Sequence, residues 1–332
     1  MATKIPGQWQ KVLEAGLLQR SSQVLSLIDG TAYVFGGELR PREPRDNDVH
    51  AITLTGAPTL TTTTATPHSP SPRVGTASTT LHNKLYIFSG RGGVAMAPID
   101  EAGSLWEFNP STSTWTHITP SQSTDPYPAA RSYHAMTSDG TDKLYIHAGC
   151  PEKGRLSDLW SFSLSTRTWT ELAPAPDPPR GGTSIAFAAG LLYRMNGFDG
   201  TSEQGGSVDV YTPETNEWVL VSYTPDGVQG PVSRSVGALV PVTHGGGGYL
   251  VTLFGERDPS SLGHQGAGKM LGDVWVFEIE GRVWREVEVG GEGPDPRGWF
   301  DADVVEAGRV VVHGGLGESN ERLGDVWVLT LG

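Results

Sequence analysis

At 332 residues the chain is long for one domain yet within the range of all-β barrels and propellers, and its 44 Gly and 24 Pro interrupt it too often for a helical bundle. The 24 Lys and Arg against 37 Asp and Glu leave a net charge of −13 with no basic cluster, which argues against a nucleic-acid surface and against anionic membranes. No apolar run approaches the ~20 residues of a membrane helix, and Met1 to Trp9 has no apolar signal core, so a cytoplasmic location is expected.

Taken in chain order, one apolar strand pattern ending in a small pair recurs six times: Tyr33-Val-Phe-Gly-Gly37, Tyr86-Ile-Phe-Ser-Gly90, Tyr145-Ile-His-Ala-Gly149, Tyr193-Arg-Met-Asn-Gly197, Val251-Thr-Leu-Phe-Gly255 and Val311-Val-His-Gly-Gly315. The final glycines lie 48 to 60 residues apart. Ahead of each copy an arginine opens another strand: Arg20, Arg73, Arg131, Arg180, Arg234 and Arg297. After each copy comes an alternating or β-branched run such as Leu159-Trp-Ser-Phe162 or Val274-Trp-Val-Phe277. A turn then leads to a strand bearing Trp115, Trp169, Trp218 or Trp284, which the first copy lacks.

Four strands in each of six copies predict an all-β, six-bladed β-propeller in which every sheet face is buried against the next blade. The last copy stops without its Trp strand, and that strand is present at the other end as Trp9-Gln-Lys-Val12, so the N-terminal segment is expected to close the ring. The chain is read as one domain, residues 1–332, and resembles the kelch family along its whole length.

In such a blade the residue after the glycine pair enters a loop at one mouth of the central channel. The six equivalent positions are Glu38, Arg91, Cys150, Phe198, Glu256 and Leu316. Two carboxylates and an arginine in one ring point to ligand chemistry, because buried charge is costly unless it is paired or bound to a metal. Cys150 is the single cysteine, which fits a reducing compartment and rules out both an internal disulfide and an all-Cys zinc site. Any metal must then use His and carboxylates. The long polar loop after Glu256 supplies Asp258 and His264, a mixed oxygen and nitrogen set of the kind that suits divalent iron, or else simply solvated charges.

A closer resemblance rests on Phe35-Gly-Gly-Glu38-Leu, Arg131-Ser-Tyr-His-Ala-Met-Thr-Ser138, Arg180-Gly-Gly182, Arg234-Ser-Val236, Phe254-Gly-Glu256 through Gly263-His264-Gln-Gly-Ala-Gly268, and Pro296-Arg-Gly-Trp299. These stretches resemble the specifier proteins of glucosinolate breakdown, the nitrile-specifier, epithiospecifier and thiocyanate-forming proteins. The resemblance implies a lyase-like enzyme that redirects an unstable sulfated thiohydroximate with Fe(II) held by a Glu, three residues, Asp, three residues, His motif. Here the Glu falls on Glu256 and the His on His264, while the middle position is Ser260, a weak neutral ligand. The departure implies lower iron affinity unless Asp258 compensates. The family's sulfate-holding arginines fall on Arg91 and Arg155, and Glu38 and Trp299 complete the candidate catalytic set. If instead they are structural, Arg91 and Arg155 should form salt bridges to Glu38 or Glu256.

The expected ligand is a small anionic molecule, with neither nucleic acid nor membrane as partner. Two other readings stay open: a metal-independent cyclase or lyase using the same pocket, and a non-catalytic kelch interaction scaffold. Galactose oxidase, also built of kelch blades, needs a Tyr–Cys crosslink and copper, and no matching Tyr and two-His set accompanies Cys150. The Asp-box turns of six-bladed sialidases are absent from Ser111-Thr-Ser-Thr-Trp115 and Ser165-Thr-Arg-Thr-Trp169.

Overall fold

The computed structural model describes residues 4–263, 266–306 and 308–332. Among the described residues the named elements are β-strands apart from one 3-10 turn, Gly16–Leu18, and no helix is long and apolar enough to cross a membrane. Consecutive strands pair antiparallel, as short alternating runs joined by tight turns must. Blade 3 is representative, with strands Ala135–Ser138, Lys143–Gly149, Leu156–Ser163 and Thr168–Leu172 ordered from the channel outward. Blades 1, 2, 4 and 5 repeat the arrangement, with innermost strands Ser21–Ile28, Ala77–Leu81, Ser184–Ala188 and Ala238–His244.

Blade 6 has three of its own strands, Asp301–Glu306, Arg309–His313 and Asp325–Leu331, and takes its outer strand from the N-terminus as expected. That strand is longer than Trp9 to Val12 alone. It runs Ile5–Glu14, pairing antiparallel with Asp325–Leu331 while Ile5 to Gln8 also pair in parallel with Val287 to Gly290 of blade 5. One segment thus closes blade 6 and stitches it to blade 5.

The outer-strand tryptophans reach across to the preceding blade. Trp169 donates its indole N–H to the Gly103 carbonyl at 2.8 Å, Trp218 donates to Ala173 at 2.9 Å, and Trp115 packs on Phe35 at 5.0 Å between ring centroids. Trp9 has the same role, stacking on Phe254 of blade 5 at 5.7 Å. The N-terminal strand therefore joins blade 6 to blade 5 through the same kind of contact that the outer-strand tryptophans of blades 2, 3 and 4 make. Around it Val251, Val276, Val310, Val312, Trp327 and Leu329 form a core cluster shared by blades 5 and 6.

Both residues of each small pair adopt positive φ: 58° and 99° at Ala148 and Gly149, 53° and 107° at Phe254 and Gly255. A Cβ on Gly255 would lie 2.8 Å from the Ser235 carbonyl oxygen, so the second position requires glycine for space as well as conformation. The six repeated arginines stand just before the innermost strands rather than within them. All are buried, and each donates to a carbonyl at the end of the neighbouring strand, as Arg131 does to Ala148 at 3.0 Å. In five blades a carboxylate closes the guanidinium fork: Asp46, Glu101, Asp158, Asp273 and Asp325. In blades 3, 5 and 6 that aspartate also accepts the indole N–H of the tryptophan two residues on.

Candidate functional site

Two residues beyond each arginine the chain turns into the channel, and all six residues there, Ser22, Gly75, Tyr133, Gly182, Val236 and Trp299, have φ between 47° and 60°. This left-handed geometry aims each N–H at the preceding blade's carbonyl. Gly75 donates to Ser22, Tyr133 to Gly75, Gly182 to Tyr133, Val236 to Gly182, Trp299 to Val236 and Ser22 to Trp299, at 2.7 to 3.0 Å. A closed belt of six backbone hydrogen bonds encircles the axis. Only two of the six side chains are large, and the Tyr133 and Trp299 rings meet edge to face at 5.1 Å. A Cβ on Gly75 would sit 2.7 Å from the Tyr133 ring, so that glycine makes room for the plug.

Above the belt opens a cavity of about 360 Å³ walled by all six positions of the ring read from the sequence: Glu38, Arg91, Cys150, Phe198, Glu256 and Leu316. Tyr133 and Trp299 form its floor and divide it from an axial cavity of about 220 Å³ lined by the innermost strands.

Arg91 and Arg155 both face this cavity. Arg91 donates to Ser132 Oγ at 3.1 Å and to the carbonyls of Met96 and Pro151 at 3.2 and 3.4 Å. Arg155 donates to the Gly154 carbonyl at 2.9 Å, lies 6.0 Å over the Phe198 ring, and has a buried Nε without a partner. Among the described residues neither arginine meets a carboxylate, so the salt bridges of the structural alternative do not form. Glu38 instead accepts from Arg322 Nη2 at 2.9 Å and from the Arg42 N–H at 2.7 Å. Glu256 accepts from the Gly268 N–H at 2.6 Å and the Trp299 indole at 3.0 Å. Burial pushes both carboxyls above the usual range, more than these donors pull them down.

Wall residues that escape the sequence reading include Glu203, Arg322 and Tyr133. Glu203, bridged to Phe198, has a buried Oε1 without a partner, and burial raises its pKa too. Arg322 follows the ring position Leu316 in the same loop that carries the metal candidates after Glu256 in blade 5. Tyr133 had a signal in hindsight, because it and Trp299 are the two bulky residues at one position of the arginine motif.

The described metal candidates, Glu256, Asp258 and Ser260, do not converge on one point. Asp258 is outside the cavity wall, 64% exposed and paired with Arg257 at 3.1 Å. Ser260 lines the wall but accepts the Leu262 N–H at 3.2 Å, and both Glu256 oxygens are engaged. His264 lies outside the described residues. Among the described residues no three His, Cys, Asp or Glu side chains come together to hold an ion. Fe(II) needs several anionic or imidazole ligands facing one point, and the three described candidates do not supply such a set without His264.

Comparison with known proteins agrees with the architecture. Residues 23–255 match the family described as the KLHDC2/KLHL20/DRC7 Kelch-repeats domain. The chain is 28% identical to N-(sulfonatooxy)prop-2-enimidothioate sulfolyase of Thlaspi arvense, with 98% of each chain covered. It is 23% identical to the leucine-zipper-like transcriptional regulator 1 homolog of Drosophila melanogaster, matching 96% of this chain but 32% of that protein. Among solved structures YjhT superposes with a TM-score of 0.71 over 95% of both chains at 16% identity, a likeness of fold. With six blades, an N-terminal strand closing the ring and a family match over most of its length, the chain belongs to the kelch-repeat family.

Proposed function

We propose that this protein is a lyase-type enzyme that takes a small sulfated intermediate into the channel-mouth cavity and steers its breakdown. The observation that carries the reading is the pair of guanidinium groups, Arg91 and Arg155, facing one closed-floored cavity without a carboxylate to neutralise either. Similarity along the full length to a sulfolyase, whose name specifies a substrate with a sulfonatooxy group and an imidothioate, supports the same assignment.

The chemistry follows from charge. Cleavage of the bond between nitrogen and the sulfonate-bearing oxygen sends the electron pair to that oxygen, while nitrogen takes a pair from the adjacent carbon, either that of a substituent migrating to nitrogen as the thiolate closes a C=S bond or that of the C–S bond as sulfur departs and C≡N forms, so negative charge grows on the departing sulfate. Two preorganised guanidinium forks hold the sulfonate in the ground state and bind it more strongly as this charge develops. Tyr133 and Trp299 block access from the axial channel, and Phe198 and Leu316 give the apolar remainder a surface on which one orientation is preferred. Glu38 is occupied by Arg322 and Glu256 by Trp299, so these carboxylates shape the cavity and hold its other cations and donors in place. No step is assigned to a metal.

The test is product analysis of a sulfated thiohydroximate released enzymatically with and without the protein. Wild type should shift the product distribution away from the spontaneous outcome, and Arg91→Gln and Arg155→Gln should restore it. A wild-type protein that leaves products and sulfate release unchanged would overturn the reading.

A further inference from the structure

Blade 4 departs from the rule that each blade arginine has its own carboxylate. By strand register Ser207 occupies the position of Asp158, Asp273 and Asp325, since Asp209 pairs opposite Arg194 as Trp160, Trp275 and Trp327 pair opposite Ile146, Thr252 and Val312. Blades 1 and 2 draw their carboxylates from slightly earlier in the chain, Asp46 and Glu101, but the corresponding residues here are Gln204 and Gly205. Arg180 donates from Nη1 to the Asn196 carbonyl at 3.1 Å and from Nε to Pro178 at 3.2 Å. Its Nη2, which in the other five blades grips a carboxylate, has no partner among the described residues.

A second guanidinium stands close enough to act on Arg180 through space. Fully buried Arg194 projects into the same blade, bound through Nε and Nη2 to Asp209 at 2.8 and 2.5 Å, and its Nη1 is buried without a partner. The second Asp209 oxygen is taken by the Ser207 hydroxyl at 2.8 Å. Arg194 and Ser207 therefore use up both oxygens of Asp209, and Asp199 and Asp177 act on the two guanidinium groups only through space, with no hydrogen bond to either. Arg180 alone among the six blade arginines keeps 5% of its surface exposed, the other five having none, so the vacated seat is reachable from solvent. Neither Arg180 nor Arg194 borders the channel-mouth cavity, which makes this a separate place from the proposed active site.

We propose that blade 4 binds a small inorganic monoanion of chloride's size on Arg180, with Arg194 beside it, in the seat that a blade aspartate fills elsewhere. A buried guanidinium with an open donor favours any anion that can replace water there, and shortening Asp to Ser leaves room for a single ion rather than a larger oxyanion. Bound only to the folded state, the ion acts as a structural counter-ion that links blade 4 stability to anion concentration.

The experiment is thermal unfolding at constant ionic strength while sodium chloride replaces sodium gluconate, whose anion is too large for the seat. Wild type should melt higher in chloride by about 2 °C or more, saturating with concentration. Ser207→Asp, which builds the carboxylate in, should melt higher in gluconate and lose the chloride response. A wild-type melting curve indifferent to the exchange, or a Ser207→Asp variant that keeps the full response, would overturn the proposal. Bromide soaked into wild-type crystals gives a reading independent of the variant: an anomalous peak on Arg180 Nη2 supports the site, and its absence at saturating bromide refutes it.

Discussion

Arginine is used in two opposite ways around the same channel. Arg131, Arg234 and Arg297, at the blade starts, are buried, forked onto an aspartate and bonded to a strand-end carbonyl. Arg91 and Arg155, at the mouth, are held by neutral oxygens alone and leave their charge unmatched. A guanidinium surrounded by its complement is architecture, because removing it strands a carboxylate and a carbonyl in the interior. One positioned without its complement is kept available for something that arrives from outside, and its removal should cost the fold little.

That contrast can be broken at several points. The largest effect should come from the seam rather than from any arginine. Deleting residues 1–12 removes Trp9, whose loss alone is worth about 3–5 kcal/mol, together with the strand that bonds both blade 5 and blade 6. Thermal melts should fall steeply, and an unchanged midpoint would mean the ring closes without this strand. Next, Arg131→Gln should cost about 3 kcal/mol in chemical denaturation by leaving Asp158 unpaired. Arg91→Gln and Arg155→Gln should stay within ~1 kcal/mol of wild-type stability yet weaken binding of a sulfated substrate analogue about 10- to 100-fold in calorimetry. Lysine at either site should fall between, keeping charge without the planar fork. A mouth variant that unfolds early but binds normally when folded would erase the distinction between the two sets.

The smallest expected effect concerns carboxylates at the seam of blades 6 and 1. Asp301 and Asp303 accept the edge N–H groups of Leu25 and Leu27, each at 2.7 Å. Burial pushes their carboxyls up to about 7 and about 6. Groups raised in the folded state stabilise it while protonated, so this contribution is fully present near pH 4 and is lost as pH rises through 6 to 7. Both side chains border the axial cavity, which limits the effect to about 1 kcal/mol. Burial also pushes Asp46 upward, but the two hydrogen bonds and the charge of Arg20 overcome it and hold the carboxyl at about 2. Its stabilisation is the reverse, present above the ordinary aspartate range and lost as pH falls toward 2. Stability should peak near pH 4, and Asp301→Asn with Asp303→Asn should flatten the alkaline side. An alkaline slope unaltered by the double variant would assign it to other groups.

Six copies of an arginine, a strand and a small pair are a periodic signal, and periodicity survives in one dimension because each blade repeats the same local problem. The blade number, the closing strand and the six ring positions were legible for that reason, down to Glu38, Arg91 and Glu256 as neighbours in a single cavity. Loops carry no such period. That Glu38 turns to Arg322 rather than to Arg91, that Asp258 faces solvent, and that Glu203 enters the wall depend on how six unrelated loops converge. The Tyr133 and Trp299 floor depends on the ring bringing residues 166 apart in sequence within 5.1 Å. The exception in blade 4 lay in plain view as Ser207, but its meaning is spatial: only once Arg180 and Arg194 share one interior does a serine in place of an aspartate become a missing charge. Local pattern sets which strands form and how often, because it depends on near neighbours. Which charges are answered is decided in three dimensions, because the partners that answer them come from distant parts of the chain.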